Sequence, residues 1–92
     1  MYLSRITLTA PGNASSPGLS AAVAVDLIWA VTEAPDRVEH VSAHAVPGRI
    51  EIGVFTTQPD PATALAAARR LAGQACERSA PLSGWTWTTS GG

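Results

Sequence analysis

Alternating apolar and polar positions at the start of the chain predict a β-strand. The stretch YLSRITLT, Tyr2 to Thr9, alternates with a period of two residues, which is the side-chain period of a strand. The two faces are Ser4, Ile6 and Leu8 on one side and Arg5, Thr7 and Thr9 on the other. The segment APGNASSPG then ends the strand, because Pro, Gly and Asn favour turns.

Apolar residues next recur at helical spacing, which predicts a helix up to about Glu33. Ser16 is expected to be its N-cap and Pro17 its first helical residue. The helix should stop before Pro35, because the residue before a proline disfavours helical geometry.

Two further alternating stretches, RVEHVSAHAV and RIEIGVFTT, meet at Pro47-Gly48 and predict a β-hairpin. Its register is set by the turn and can be written out pair by pair. The apolar pairs are Val41 with Val54, Ala43 with Ile52 and Ala45 with Ile50. The opposite face pairs His40 with Phe55, Ser42 with Gly53 and His44 with Glu51. A mid-strand glycine such as Gly53 indicates either close approach of another group or a bulge.

The segment QPDPATALAAARRLAGQACERSAP predicts a second helix, with Asp60 as N-cap, Pro61 at its first position and Pro81 beyond its end. Its two sides are expected to be Leu65, Ala68, Leu71, Ala72, Ala75 and Cys76 towards the core, and Arg70, Gln74, Glu77 and Arg78 towards solvent. So many alanines on the buried side predict close approach of this helix to a sheet. The single cysteine, Cys76, is expected to be a structural residue rather than a nucleophile.

A last strand is predicted over residues 84–89, followed by a flexible tail at residues 90–92. Trp85 and Trp87 share one side of this strand and are expected in the core; the alternative phase would form an aromatic patch on the open face. The element order strand-helix-strand-strand-helix-strand resembles the ferredoxin-like βαββαβ sandwich. That α+β fold is a four-stranded antiparallel sheet with two helices on one face. We expect one such domain over residues 1–92.

Composition restricts the partners of this domain. Charged residues make up only 14% of the chain and hydrophobic residues 46%, which predicts that part of the surface is buried in an oligomer. The net charge is −1 and the chain has no lysine, so nucleic-acid binding is not expected. The longest apolar run is too short to span a membrane, and we expect a cytoplasmic protein. Abundant Ala, Gly, Pro and Arg without Lys is typical of a GC-rich bacterial genome.

The two histidines, four residues apart, raise the question of a metal or catalytic pair. On a strand His40 and His44 stand about 13 Å apart, so they cannot share a metal ion within one chain. We expect no metal and no cofactor. The weak catalytic candidates are His44, Glu51 and His40, with Glu51 placed to hydrogen-bond His44 and raise its pKa.

The open sheet face is expected either to be solvated or to be covered by a second subunit. Trp29 lies on the polar side of the first helix, and either contacts a partner or folds along the groove between the helices. The candidate partner-binding residues are Trp29, Phe55, His40, Ser42 and Arg5. We expect a non-catalytic accessory module that homodimerises or binds a larger protein. The alternatives are a dimeric α+β barrel enzyme using the His/Glu site, and a ligand-sensing domain using loop 11–18.

Overall fold

The computed structural model describes residues 1–12 and 19–91, which form one antiparallel four-stranded sheet and two helices. The elements are β1 (Tyr2–Thr9), α1 (Ala21–Val31), β2 (Val38–Val46), β3 (Arg49–Thr56), α2 (Pro61–Arg78) and β4 (Thr86–Gly91). The strand order is β2-β3-β1-β4. The predicted α+β fold with the βαββαβ order is therefore confirmed, and the strand order is consistent with the ferredoxin-like arrangement.

The β2–β3 hairpin has the register that the sequence predicts. Val41 lies opposite Val54, Ala43 opposite Ile52 and His44 opposite Glu51. The turn falls at Pro47 and Gly48, where Gly48 has a φ of 80° that favours glycine. A register shift interrupts the ladder between Val38 and His40, whereas Ser42 and Gly53 pair in the regular part of the ladder.

The core lies between the sheet and the two helices, which pack on the same face of the sheet. The buried strand residues are Ile6, Leu8, Val41, Ile50, Ile52 and Val54. They meet Ala24 and Ile28 of α1 and the alanine-rich side of α2. Ala45, next to the hairpin turn, is on the same face but is exposed.

The first helix is shorter than its sequence predicts. It begins at Ala21 with Ser20 as N-cap, whose hydroxyl accepts a hydrogen bond from the Val23 amide at 3.1 Å. The predicted cap Ser16 and first residue Pro17 lie outside the described residues. The helix ends at Val31 rather than near Glu33, and the Thr32 hydroxyl donates to the Ile28 carbonyl.

A 3₁₀ turn, Ala34–Asp36, follows α1 and is tied to α2 by a buried carboxylate. Asp36 accepts hydrogen bonds from the Glu33 amide and from the Arg70 guanidinium, which also donates to the Val31 carbonyl at 3.0 Å. The prediction that Arg70 faces solvent is thus wrong in part, because this side chain reaches across to the end of α1. Gln58 completes the junction by donating to the carbonyls of Pro35 and Asp36.

The second helix follows its prediction, with Asp60 as N-cap and Pro61 as its first residue. Its buried side consists of Ala64, Ala67, Ala68, Leu71, Ala72 and Ala75. The expectation that Leu65 faces the core is wrong, because this side chain is only half-buried and does not pack in the core. Small side chains there let α2 lie close to β1 and β4.

Within the described ranges, neither α1 nor α2 is long and apolar enough to cross a membrane.

The last strand begins later and ends later than its sequence predicts. Trp85 precedes the strand and packs partly buried against the core, whereas Trp87 lies opposite Leu8 on the helix side and remains 36% exposed. Neither tryptophan lies on the open face, but the expectation that Trp87 is a core residue is wrong, because only Trp85 packs against the core. Ser90 and Gly91 pair with β1, so they belong to the sheet rather than to a flexible tail; Gly92 is not among the described residues.

Candidate functional site

The sheet face opposite the helices, here called the open face, carries the side chains that the sequence marks as candidates. Cross-strand pairing arranges them in four rows. The rows, read from β2 through β3 and β1 to β4, are His40-Phe55-Leu3, Ser42-Gly53-Arg5-Ser90, His44-Glu51-Thr7-Thr88 and Val46-Arg49-Thr9-Thr86. Neighbouring strands lie about 4.8 Å apart and successive rows about 6.6 Å apart. Four predicted partner-binding residues, Arg5, His40, Ser42 and Phe55, thus share one surface.

One end of the open face is apolar. The rings of His40 and Phe55 lie 5.8 Å apart between centroids at an interplanar angle of 46°, a tilted aromatic contact. Leu3 pairs with Phe55 from the other side. The sequence prediction omits Leu3, although the alternation that places Arg5, Thr7 and Thr9 on this face already includes it.

Gly53 lies in a regular part of the ladder, which rules out the bulge alternative at this position. It pairs with Ser42 on one side and Arg5 on the other. A Cβ atom built there would stand 3.0 Å from Ser42 Oγ and 3.3 Å from Leu3 Cδ1. The glycine is therefore explained by close approach of side chains from both neighbouring strands, which occupy the space that a larger residue would need.

Glu51 is engaged by residues other than His44. Its carboxylate accepts a hydrogen bond from Thr7 Oγ1 at 2.9 Å and one from Arg49 Nε at 2.8 Å. The Thr7 hydroxyl and then Arg49 hold the pKa of Glu51 below its ordinary value, so this group stays ionised at neutral pH. The expected hydrogen bond between Glu51 and His44 is wrong, although the two residues are direct cross-strand neighbours.

His40 and His44 lie two rows apart on the exposed edge strand β2. Within residues 1–12 and 19–91, no three His, Cys, Asp or Glu side chains are grouped closely enough to hold a metal ion. The Glu51 carboxylate, which lies across from His44, accepts its hydrogen bonds from Thr7 and Arg49 and not from His44. The proposed catalytic roles of His40, His44 and Glu51 stay predictions.

A shallow cavity of about 500 Å³ occupies the open face. Its walls include Leu3, Arg5, Ser42, His44, Glu51 and Phe55. Arg49 also lines it, and its ion pair with Glu51 at 2.8 Å neutralises both charges locally. Arg5, in contrast, forms no hydrogen bond or ion pair with any described residue. The cavity therefore combines an apolar wall with an unpaired cation.

Trp29 is separate from the other partner-binding candidates. It is 42% exposed on α1, which packs on the opposite side of the sheet. Val23 on the same helix is 39% exposed, so α1 presents a second apolar surface. Cys76 lies half-buried on α2, where burial raises the pKa of its thiol and keeps it protonated, as expected for a structural cysteine.

Most of loop 11–18, the predicted ligand-sensing segment, lies outside the described residues. Comparisons of the chain with models of protein families, with curated proteins and with solved structures find no match. The chemistry of the open face is thus the main guide to what the protein does.

Proposed function

We propose that the protein acts by association, as a non-catalytic module that forms a homodimer through the open faces of two sheets. The observation that carries this proposal is the apolar end of the open face, where Leu3, Phe55 and the His40 ring adjoin without a covering element among the described residues. Apolar surface at the centre of a contact patch, with polar groups around it, is typical of protein interfaces.

The charges of the open face favour a second copy as the partner. The face carries Arg5, Arg49 and Glu51, so cations and an anion stand on one surface. In a twofold-symmetric dimer the same patch meets itself, and a residue on one copy faces a different residue on the other. Such a face can meet its own copy without placing like charges opposite each other.

The size of the face is compatible with a small specific interface. Four strands of about eight residues cover roughly 19 by 26 Å, a flat footprint of about 500 Å². Projecting side chains make the accessible area larger than this footprint. Specific interfaces bury about 800 Å² per partner, so the dimer would use most of the open face. The low charge of the chain, 14%, also supports burial of surface.

The enzyme alternative has weaker support. General acid–base catalysis requires a group whose pKa lies near the working pH. The pKa of Glu51 is lowered by the Thr7 hydroxyl and Arg49, which keeps the carboxylate ionised and hydrogen-bonded. We also propose a cytoplasmic location, and a larger protein as the alternative partner.

Sedimentation velocity on the purified chain tests the proposal. We expect a mass near twice 9.5 kDa at micromolar concentration. Phe55→Thr should shift the species to monomer, because it removes the largest apolar side chain of the face while keeping a residue suited to a strand. Trp29→Ala is the matched control on the other surface and should leave the dimer intact.

Two results would overturn the proposal. One is a wild-type chain that stays monomeric across the accessible concentration range. The other is dissociation by Trp29→Ala but not by Phe55→Thr, which would move the interface to α1. Circular dichroism of each variant would show that the fold is retained.

A further inference from the structure

We infer that the open face binds a small organic monoanion, a carboxylate attached to a flat apolar body, between Arg5 and Phe55. The inference rests on the proposed function in one respect, because a second sheet packed on this face would enclose the cavity. The groups that recognise the ligand nevertheless come from a single chain. Binding and association can therefore be measured separately.

The net charge of the side chains that line the cavity determines which ligand charge complements it. The charged side chains that line the cavity are Arg5, Arg49 and Glu51. Two cations and one anion leave a net charge of +1, and Arg5 is the cation that does not take part in the 2.8 Å ion pair between Arg49 and Glu51. A monoanion complements this charge. An arginine side chain binds a carboxylate through two parallel hydrogen bonds, which makes that group the best match.

The floor of the cavity explains where the carboxylate would lie. Ser42, Gly53 and Arg5 form one row across three strands. All three residues line the cavity. Ser42 Oγ already occupies the space directly above Gly53, at 3.0 Å from the position of a Cβ, so the carboxylate would lie farther out in the cavity. There it would accept hydrogen bonds from Arg5 and Ser42.

The adjacent row supplies the apolar half of the site. Leu3 Cδ1 stands 3.3 Å and Phe55 Cε2 4.0 Å from the position of a Cβ at Gly53, and both side chains line the cavity. The His40 ring extends this wall beyond Phe55. A planar ring fits against such a wall by stacking or edge contact. The cavity volume of about 500 Å³ is within the range of small-molecule sites.

The test is a titration of the ¹⁵N-labelled protein by NMR with three probes that separate the two halves of the ligand. Benzoate carries both the charge and the ring, benzamide lacks the charge and acetate lacks the ring. We expect benzoate to shift the amide signals of Arg5, Gly53 and Phe55, with millimolar affinity. Benzamide and acetate should each bind at least tenfold more weakly.

Arg5→Gln should weaken benzoate binding about tenfold, and Arg78→Gln, an exposed arginine on α2, should leave it unchanged. Equal binding of benzamide, equal binding of acetate, or no effect of Arg5→Gln would overturn the inference. Sedimentation with and without benzoate keeps the two proposals apart. If the protein is dimeric but does not bind benzoate, only the ligand-binding inference is contradicted. If it is monomeric and binds benzoate, only the dimer proposal is contradicted.

Discussion

Asp36 connects the end of α1 to α2 by hydrogen bonds to its carboxylate. It is 5% exposed, and its two carboxylate oxygens receive the Arg70 guanidinium and the Glu33 amide. A buried carboxylate that loses its charge leaves its partners without compensation. Stability at this junction therefore depends on one charged side chain.

We predict that Asp36→Asn lowers the free energy of unfolding by about 2 kcal/mol. Breaking a buried pair typically costs about 3–5 kcal/mol, and the partial exposure of Arg70 reduces this cost. Asp26→Asn, the same change at an exposed position of α1, should alter stability by less than about 0.5 kcal/mol. Urea unfolding followed by tryptophan fluorescence measures both, and equal midpoints would refute the role given to Asp36.

A second residue-scale prediction concerns Glu51, whose pKa is lowered first by the Thr7 hydroxyl and then by Arg49. Its folded pKa lies below the unfolded value of about 4.3, so its stabilising contribution is present above that pH and is lost as the pH falls further. Thr7→Val should raise the pKa of Glu51. Titration of the Glu51 carboxyl carbon by ¹³C NMR tests this, and an unchanged pKa in the variant would contradict the assigned cause.

The Asp36–Arg70 pair also shows why sequence patterns miss some contacts. Helical projection places Arg70 on the polar side of α2 together with Gln74, Glu77 and Arg78. Its partner is 34 residues away and belongs to a 3₁₀ turn that the apolar pattern does not mark. A helical projection shows the side of the helix from which a residue projects. An arginine side chain is long enough to reach a neighbouring element from the polar side.

At the scale of the elements, the close approach of α2 to the sheet depends on its alanines. Ala68 and Ala72 are fully buried and belong to the hydrophobic core. A larger side chain there must displace the helix or adopt a strained rotamer. Packing of this helix therefore has little tolerance for added volume.

We predict that Ala68→Leu destabilises the fold by about 1–3 kcal/mol through overpacking. Ala66→Leu is the matched control, because Ala66 is exposed on the same helix and leucine is nearly as good a helix former as alanine. Thermal unfolding by circular dichroism compares the two variants. If Ala68→Leu unfolds at the temperature of Ala66→Leu, α2 does not approach the sheet closely.

Helices and strands whose apolar residues recur at regular spacing are predictable from this sequence, whereas the residues at which they begin and end are not. The register of β2 against β3 follows from alternation and a short turn, which together leave one arrangement of the apolar side chains. The start of α1 does not follow in this way, since serines occur at several positions before it and each can cap a helix. The end of β4 is set by the length of β1, with which Ser90 and Gly91 pair.

At the scale of the whole molecule, the helices cover one side of the sheet and leave the other open. The order of elements predicts this arrangement, because each helix connects two parallel strands of the sheet and the two right-handed crossovers place both helices on one face. Alternation likewise predicts which side chains share the open face. The cavity beside Gly53 and the unpaired Arg5 are not predictable in the same way, because they depend on contacts among three strands.

Intermolecular nuclear Overhauser effects test the central claim, which is that two copies meet through their open faces. The sample mixes ¹³C-labelled and unlabelled protein, so that isotope filtering retains only contacts between copies. We predict contacts from the Leu3 methyl groups and the Phe55 ring of one protomer to the open face of its partner. Contacts confined to Trp29 and Val23 of α1, or none at concentrations where the dimer forms, would contradict the account.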